Sequence, residues 1–236
     1  MLDIIDPIES FRPSPDGDCL CGKKRLFKDC CGSNVLDRDP PFGIILKRNY
    51  LPDEVCDKLI AFVERKGVAS DLAVYADTLA KNTDTLAKNS NIETTVNKDR
   101  VSAKIDLAEK QAVIDKWIGN IFHQFVAKRL KKKIRSFSLP DLMRYEKGGY
   151  YKPHADSEIF DKQSGSWKKI LDRDYSLLLY LNSDYEGGGL HFEHFNFTYF
   201  PKKGDLLVFP SHNLYLHEAQ LVTSGFRYVI VSWAAL

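Results

Sequence analysis

Two histidines and an aspartate in the second half of the chain have the types and spacing to bind a transition metal. His154 and Asp156 are two positions apart in a segment with the composition of a β-strand, so their side chains point to the same face. His217 lies in a second strand-like segment far downstream. Two imidazoles and one carboxylate on one face of Fe(II) leave three coordination positions open. Because His-x-Asp often occurs by chance, the pattern needs support from other residues.

Arg227 supplies a second kind of binding group on the C-terminal side of His217. A Thr-Ser-Gly turn at residues 223–225 predicts that the strand carrying Arg227 folds back on the strand carrying His217. Both side chains would then face the same interior. A guanidinium there would hold a carboxylate through two parallel hydrogen bonds, which an oxoacid that chelates iron would need at its far end.

These segments resemble the prolyl-hydroxylase-like branch of the Fe(II)/2-oxoglutarate dioxygenases. The resemblance covers about residues 139 to 234 in the family's order and spacing, and it is carried by residues 144–156, 177–182, 186–190, 201–205, 217 and 225–228. It implies that His154, Asp156 and His217 bind Fe(II). It also implies that Arg227, assisted by Tyr180, binds the C5 carboxylate of 2-oxoglutarate.

The resemblance extends to the walls of the pocket. Tyr145 matches a pocket tyrosine, Leu190 and Trp233 match wall positions, and Arg173 matches a basic residue that usually precedes the Tyr-Leu-Asn strand. The stretch 157–174 follows no pattern that identifies a substrate.

Three further histidines, His191, His194 and His212, lie in the same half of the chain and are alternatives to His217. His212 stands too far before Arg227 for the family spacing, so we favour His217.

The implied reaction consumes 2-oxoglutarate and O₂, with ascorbate as a supporting reductant, and releases succinate and CO₂. The predicted substrate is a protein side chain such as proline. One alternative is a hydroxylase of a small molecule such as an amino acid, with the same cofactors. Another is a non-enzymatic adaptor with a zinc module and a barrel that has lost turnover. Decarboxylation of 2-oxoglutarate without added substrate would separate the enzymes from the adaptor.

Four cysteines near the N-terminus form a separate candidate metal site: Cys19, Cys21, Cys30 and Cys31. Four thiolates can surround Zn²⁺ tetrahedrally and leave no open position, so the predicted zinc is structural. The spacing resembles the SEC-C motif, although residues 22–24 read Gly-Lys-Lys where that motif usually has Gly-Ser-Gly. A redox pair is the alternative. Modules of this kind generally dock on proteins or ribosomal surfaces, so the resemblance implies that residues 1–36 direct the enzyme to a macromolecule and help dock a protein substrate.

The remaining elements must position these groups. Apolar spacing predicts a helix after Pro52 and a long helix over residues 106–135. Eight strands are predicted at 139–146, 150–156, 175–182, 190–193, 196–200, 205–209, 215–222 and 226–234. The fold class is therefore α+β, a double-stranded β-helix (jelly roll) with supporting helices, preceded by the small zinc module. The catalytic domain spans 40–236, with helical support over 50–135 and the jelly-roll core over 137–236.

A near-identical seven-residue tandem repeat occupies residues 77–90. We interpret it as a tolerated insertion, helical or loose, with a flap over the site as the alternative.

Composition narrows the class of protein further. The chain has 236 residues, 44% of them hydrophobic, and a formal charge of +2, which gives no field that would favour nucleic acid or an anionic membrane. No apolar run is long enough for a transmembrane helix. The acidic N-terminus and the clustered cysteines favour a cytoplasmic location over a secreted one.

Overall fold

The computed structural model describes residues 40–65, 85–89, 92–96 and 98–236, together with residues 16, 25–26 and 28–30. Cys19, Cys21 and Cys31 lie outside these ranges, as does the first copy of the tandem repeat. The predicted zinc site therefore falls largely outside the described residues.

The α-helices lie in the first half of the described chain, whereas the second half consists of strands and short 3₁₀ helices at Glu193–Phe195 and Asn213–Tyr215. The strands are β1 (Ile45–Lys47), β2 (Thr85–Asn89), β3 (Ile92–Val96), β4 (Arg100–Ile105), β5 (Ser136–Phe137), β6 (Asp141–Tyr145), β7 (Tyr150–His154), β8 (Glu158–Asp161), β9 (Ser166–Lys169), β10 (Tyr175–Tyr180), β11 (Glu186–Gly187), β12 (Leu190–Phe192), β13 (Phe197–Tyr199), β14 (Leu206–Pro210), β15 (His217–Ala219), β16 (Val222–Ser224) and β17 (Arg227–Ala235). The helices are α1 (Asp53–Arg65), α2 (Gln111–Asn120), a π-helical segment (Ile121–Val126) and α3 (Ala127–Leu130).

Thirteen strands form one antiparallel sheet in the order β1-β14-β10-β17-β6-β4-β7-β15-β12-β13, with β3 and β2 added beside β4 and β5 beside β17. The sheet curls until the β10, β17 and β6 half faces the β7, β15 and β12 half across a cavity that both halves line. This curled antiparallel sheet confirms the predicted jelly-roll core.

Strand alternation explains how one strand serves both the core and the cavity. In β10, Leu177 and Leu179 pack into a cluster with the helices, whereas Leu178 and Tyr180 pack on the cavity side. The helices contribute Leu59, Ile118 and other apolar residues to that cluster. They therefore cover one face of the sheet and leave the other for the site.

The two predicted helices are present, but the predicted helical support also contains strands. Residues 85–89, which lie within the second copy of the repeat, form β2 where we expected a helical or loose insertion. Val101, Ala103 and Ile105 of β4 are buried, and β4 pairs with both β6 and β7. Such a short alternating segment gives a weak signal beside a long helical pattern. Among the described residues, no helix is long and apolar enough to span a membrane.

The predicted pairing between the strands of His217 and Arg227 is wrong. β15 pairs with β7 and β12, whereas β17 pairs with β10 and β6. Between them, residues 222–224 pair with β11, so the chain crosses from one half of the curled sheet to the other. Arg227 therefore faces the cavity from the half opposite His217.

Candidate active site

The structure brings His154, Asp156 and His217 together. His154 and His217 are direct partners in the β7–β15 register. The Nε2 atom of His154 is 3.5 Å from Oδ1 of Asp156, and that of His217 is 3.7 Å from Oδ2. One ligand atom from each residue lies within 4.8 Å of the others, a spacing that a single metal ion can bridge. His212 is not part of this group.

Both imidazoles are oriented by main-chain carbonyls. The Nδ1 atom of His154 lies 2.8 Å from the Lys152 carbonyl oxygen, and that of His217 lies 2.9 Å from the Tyr215 carbonyl oxygen. Since a carbonyl only accepts, each Nδ1 carries the proton and each Nε2 presents its lone pair toward Asp156. This is the tautomer that a metal ligand needs.

The carboxylate is fixed by a serine hydroxyl on β10. Ser176 Oγ donates to Asp156 Oδ2 at 2.6 Å, and it lies 2.8 Å from Ser211 Oγ. Arg173 Nη1 donates to the main-chain oxygen of Asp156 at 3.3 Å. Asp156 is thus held at its side chain and at its backbone.

The pKa shifts of His217 and Asp156 suit the binding of a cation. Burial lowers the pKa of His217 to about 4, and the neighbouring His154 lowers it further against the attraction of Asp156. Burial alone would raise the pKa of Asp156, but the electrostatic effect of the two neighbouring histidines and the hydrogen bond from Ser176 outweigh it, so the pKa falls. A neutral imidazole and an ionised carboxylate are the forms that bind a metal.

Arg227 occupies the far end of the same cavity and is 2% exposed. Its Nη1 donates to the Gly188 carbonyl at 2.7 Å, and its guanidinium carbon lies 4.1 Å from the centre of the Tyr145 ring, its register partner. Asn182 bonds the main chain on both sides of Arg227, at Phe226 O (2.6 Å) and Tyr228 N (2.9 Å). The guanidinium therefore has a fixed direction.

Several buried polar atoms at this end have no hydrogen-bond partner among the described residues. They are Tyr180 Oη, Tyr185 Oη and Arg227 Nε. Burial raises the pKa of both tyrosines, that of Tyr180 well above its usual value and that of Tyr185 to about 12, although Arg227 opposes each shift. The hydroxyls thus remain protonated donors. Unsatisfied donors around a buried cation fit the carboxylate of a 2-oxoglutarate molecule.

The cavity that joins the two ends holds about 590 Å³, including its open mouth. Its lining includes every residue predicted to bind iron or 2-oxoglutarate except Tyr180, which packs behind it: Tyr145, His154, Asp156, Leu190, His217, Arg227 and Trp233. Apolar side chains complete the walls at Met143, Leu178, Val229 and Val231. Such a mostly apolar cavity with a few convergent polar groups is typical of a small-molecule site.

One aromatic stack and two contacts between an arginine and an aromatic ring flank the mouth. The Tyr151 ring is stacked 3.6 Å from the His154 ring, and the Arg100 guanidinium lies 4.7 Å from the centre of the Tyr151 ring. Arg173, predicted as the basic residue of this region, lies 3.8 Å from the centre of the Trp233 ring. Both arginines thus sit over aromatic faces beside the metal ligands.

A second groove shares residues with this mouth. Tyr151, His154 and Asp156 line it together with the β8–β9 hairpin, where Phe160 and Trp167 form an edge-to-face pair at 5.7 Å. This hairpin forms most of the stretch that matched no pattern in the sequence. Four apolar side chains in this hairpin and directly after it are exposed: Ile159, Phe160, Ile170 and Leu171.

The sequence did not single out Ser176, Tyr151, Arg100 or Tyr185. Ser176 lies on a predicted strand two positions before Leu178, so alternation was a usable signal for it. Tyr151 is three positions before His154, and only the register shift between β7 and β15 accounts for its place in the cavity. Arg100 comes from β4, whose strand was not predicted, and Tyr185 lies in a turn where no periodicity applies.

Other proteins share this part of the chain. Residues 140–235 match the model of the 2OG-Fe(II) oxygenase superfamily. Prolyl 3-hydroxylase 2 of Gallus gallus is 34% identical over 92 residues, which are 35% of this chain and 13% of that protein. A PKHD-type hydroxylase of Sphingopyxis alaskensis is 34% identical over 98 residues, covering 40% of this chain and 42% of that protein. The matched stretch is thus less than half of each relative.

Similarity of fold extends further along the chain. The viral collagen prolyl hydroxylase of Paramecium Bursaria Chlorella virus-1, solved as a 2OG complex, superposes with a TM-score of 0.56 at 20% identity. The superposition covers 86% of this chain and all 100% of that one. Residues 140–235 therefore resemble the 2OG-Fe(II) oxygenase superfamily in sequence, and the fold of the chain is that of the prolyl hydroxylases.

Proposed function

We propose that this chain is an Fe(II)- and 2-oxoglutarate-dependent hydroxylase that acts on a protein side chain such as proline and releases succinate and CO₂. The observation that carries the proposal is one cavity with a His-Asp-His group at one end and a buried arginine with unsatisfied hydroxyls at the other. A bound Fe(II) would supply the O₂ chemistry that couples decarboxylation of 2-oxoglutarate to insertion of oxygen into a C–H bond.

The chain's own residues would bind and orient. His154, Asp156 and His217 would hold the metal on one face, which leaves the positions toward the cavity for ligands. Arg227 would take the far carboxylate through its guanidinium fork. Leu190 and Trp233 would exclude water from the space between, which strengthens each polar contact there.

The second groove supports a polypeptide substrate over a free amino acid. It begins at His154 and Asp156 and continues along the hairpin past Phe160 and Ile170, well beyond the size of one residue. Exposed apolar side chains beside a metal site are suited to contact a partner. The relatives named as prolyl or collagen prolyl hydroxylases make proline the first candidate for the hydroxylated residue.

The test is incubation of the full chain with Fe(II), ascorbate and 2-oxoglutarate, with and without proline-containing peptides. We expect succinate formation in both cases, and a peptide mass gain of one oxygen atom in the second. His217→Ala is the inactive control. Oxygen transfer to free L-proline but not to peptides would favour the small-molecule alternative. If no succinate forms under any condition, the non-enzymatic adaptor becomes the favoured alternative.

We further propose that Cys19, Cys21, Cys30 and Cys31 bind one structural zinc ion in a module, residues 1–36, that helps dock the substrate. Cys30, the one of the four within the described residues, is partly buried and packs against the cavity-side core. The Cys19→Ser/Cys21→Ser variant should lose one equivalent of zinc by elemental analysis, while Cys56→Ala keeps it, because Cys56 is fully buried on α1.

Docking makes a separate prediction for that zinc-free variant. It should keep succinate formation without substrate and lose part of its activity on a protein, because docking contributes effective concentration and not chemistry. Loss of both activities would place the module within the catalytic fold, and loss of neither would make it a structural cap.

A further inference from the structure

A run of basic residues lies between the end of α3 and β5, outside every group that the proposed function uses. Residues 128–135, the basic segment, read Lys-Arg-Leu-Lys-Lys-Lys-Ile-Arg, so six of these eight side chains are cationic and none is acidic. Leu130 and Ile134 are buried in the core cluster with the helices, whereas every lysine of the segment is exposed. The two apolar anchors therefore present the lysines at the surface from a fixed backbone.

Stabilisation of the helix end explains only part of this charge. Lys128 and Arg129 lie in the last turn of α3, where cations offset the helix dipole. Lys131 has a left-handed backbone, with φ of 54°, and follows the last helical residue. Lys132 and Lys133 lie beyond it. Because the effect of the dipole falls off within the last turn, it does not account for these two lysines.

Nearby carboxylates do not neutralise the segment. Within the part of the chain that the structure describes, Lys128, Lys132 and Lys133 form no ion pair. Arg135 does form one, with Asp172 at 2.5 Å. Like charges held close together repel one another, so an anionic partner would relieve this repulsion.

The basic segment reaches the groove beside the metal site through Arg135. Its partner Asp172 directly follows Leu171, which lines that groove. The backbone from Lys133 to Arg135 is not helical, and two residues of extended chain span at most about 7 Å. A polypeptide that leaves the groove on this side would therefore meet the lysines.

The side chains of the segment favour an acidic polypeptide over other anionic partners. The segment has no aromatic side chain on which a nucleic-acid base could stack. Its two apolar side chains are buried, so they are not available to insert into a membrane surface. The groove that it adjoins is the one that we assign to a polypeptide, and carboxylates on that polypeptide would complement the lysines.

We propose that the basic segment binds an acidic stretch of the polypeptide substrate, continuous with the part held in the groove. This inference rests on the proposed function of the cavity. It names the substrate class more closely, as a protein with a run of Asp and Glu beside the hydroxylated residue. Charges at the rim of an interface act mainly on encounter and are screened by salt, so the segment should lower KM and leave kcat unchanged.

The experiment compares Lys132→Gln/Lys133→Gln with Lys47→Gln/Lys58→Gln in the full chain. The second variant is the matched control, because it loses the same charge from exposed lysines that form no ion pair with a described residue. The probes are fluorescent proline-containing peptides joined to a run of glutamates by flexible spacers of increasing length, and the same peptides with glutamines. Fluorescence anisotropy gives Kd without turnover, and oxygen transfer gives KM and kcat.

We expect the wild type and the control to bind the best-spaced glutamate peptide about 3- to 10-fold more tightly than its glutamine counterpart at low salt. KM should show the same ratio, with equal kcat. Lys132→Gln/Lys133→Gln should lose most of this preference, and high salt should remove it from every protein.

Equal binding of the glutamate and glutamine peptides by the wild type would overturn the inference. An oligonucleotide or anionic vesicles that bind through these two lysines more tightly than the glutamate peptide does would also overturn it, in favour of that partner. If the wild type prefers the glutamate peptide in binding but transfers oxygen to no peptide, the proposed function fails while the binding role of the segment stands.

Discussion

The two ends of the cavity satisfy their polar groups in opposite ways. At the metal end, both imidazole Nδ1 atoms and the Asp156 carboxylate have protein partners at 2.6 to 2.9 Å. At the arginine end, Tyr180, Tyr185 and Arg227 each keep a buried polar atom without one among the described residues. The protein thus fixes the ligands of a metal in advance, but leaves donors unpaired where a second molecule would bind.

This difference shows how each end should respond to mutation. Residues that support the metal end hold the metal-binding side chains through hydrogen bonds within the protein. Their removal should therefore affect the protein with or without bound 2-oxoglutarate. Donors at the arginine end have no protein bond to lose, so their removal should affect binding and spare stability. The following variants test this comparison.

The largest effect is expected from a ligand at the metal end. His217→Ala should abolish succinate formation, because it removes one of three ligands and leaves only two side chains to hold the metal. His212→Ala is the matched control and should retain activity, since His212 lies in another cavity with Tyr175 and Leu214. The measurement is succinate formation at saturating iron, which we expect to be lost in His217→Ala and retained in His212→Ala. The reverse order would make His212 the distal ligand.

Arg227→Lys should weaken 2-oxoglutarate binding by about 1 to 3 kcal/mol, because a point charge replaces a bidentate fork. Lys keeps the positive charge, so the loss measures geometry and not charge alone. Titration of the metal-loaded protein gives the dissociation constant. An unchanged value would remove Arg227 from the cosubstrate site.

Ser176→Ala should weaken metal binding about 10-fold or more, since this serine fixes the Asp156 carboxylate at 2.6 Å. Ser164→Ala is the matched control, because Ser164 is exposed in the turn of the β8–β9 hairpin and bonds Asp161. Competition with a metal chelator gives both affinities. Equal metal affinities would mean that Asp156 needs no support from Ser176.

Tyr180→Phe gives the smallest expected effect, about 1 kcal/mol of 2-oxoglutarate affinity with no loss of Tm. The hydroxyl makes no hydrogen bond to any described residue, so folding loses nothing when it is removed. Titration and thermal unfolding on one preparation give both values. A lower Tm with unchanged affinity would reverse the roles that the comparison assigns to the two ends.

The sequence identified the metal end more completely than its surroundings. His154 and Asp156 follow from strand alternation, and the resemblance to the dioxygenases supplied His217, Arg227 and Tyr180. Strand pairing was less accessible, because the turn before Arg227 resembles a simple hairpin turn and the crossing between halves depends on the β11–β16 pair.

Residues that act through geometry without periodicity were not accessible from the sequence. Ser176 resembles an ordinary strand serine until Asp156 is placed beside it. Tyr185 lies in a turn whose course only the folded chain fixes. The β8–β9 hairpin combines a short turn at Gly165 with polar and apolar residues on both faces, so alternation does not distinguish its strands.

The central claim is that one cavity holds one metal and one 2-oxoglutarate at opposite ends. Anaerobic addition of Fe(II) and then 2-oxoglutarate to the full chain, followed by visible absorption of the iron-bound oxoacid, tests it directly. The account predicts an absorption that needs both additions, saturates at one iron and one 2-oxoglutarate per chain, and is lost in His217→Ala but kept in His212→Ala. Saturable binding of both ligands with no such absorption, or an absorption that His217→Ala leaves unchanged, would contradict it.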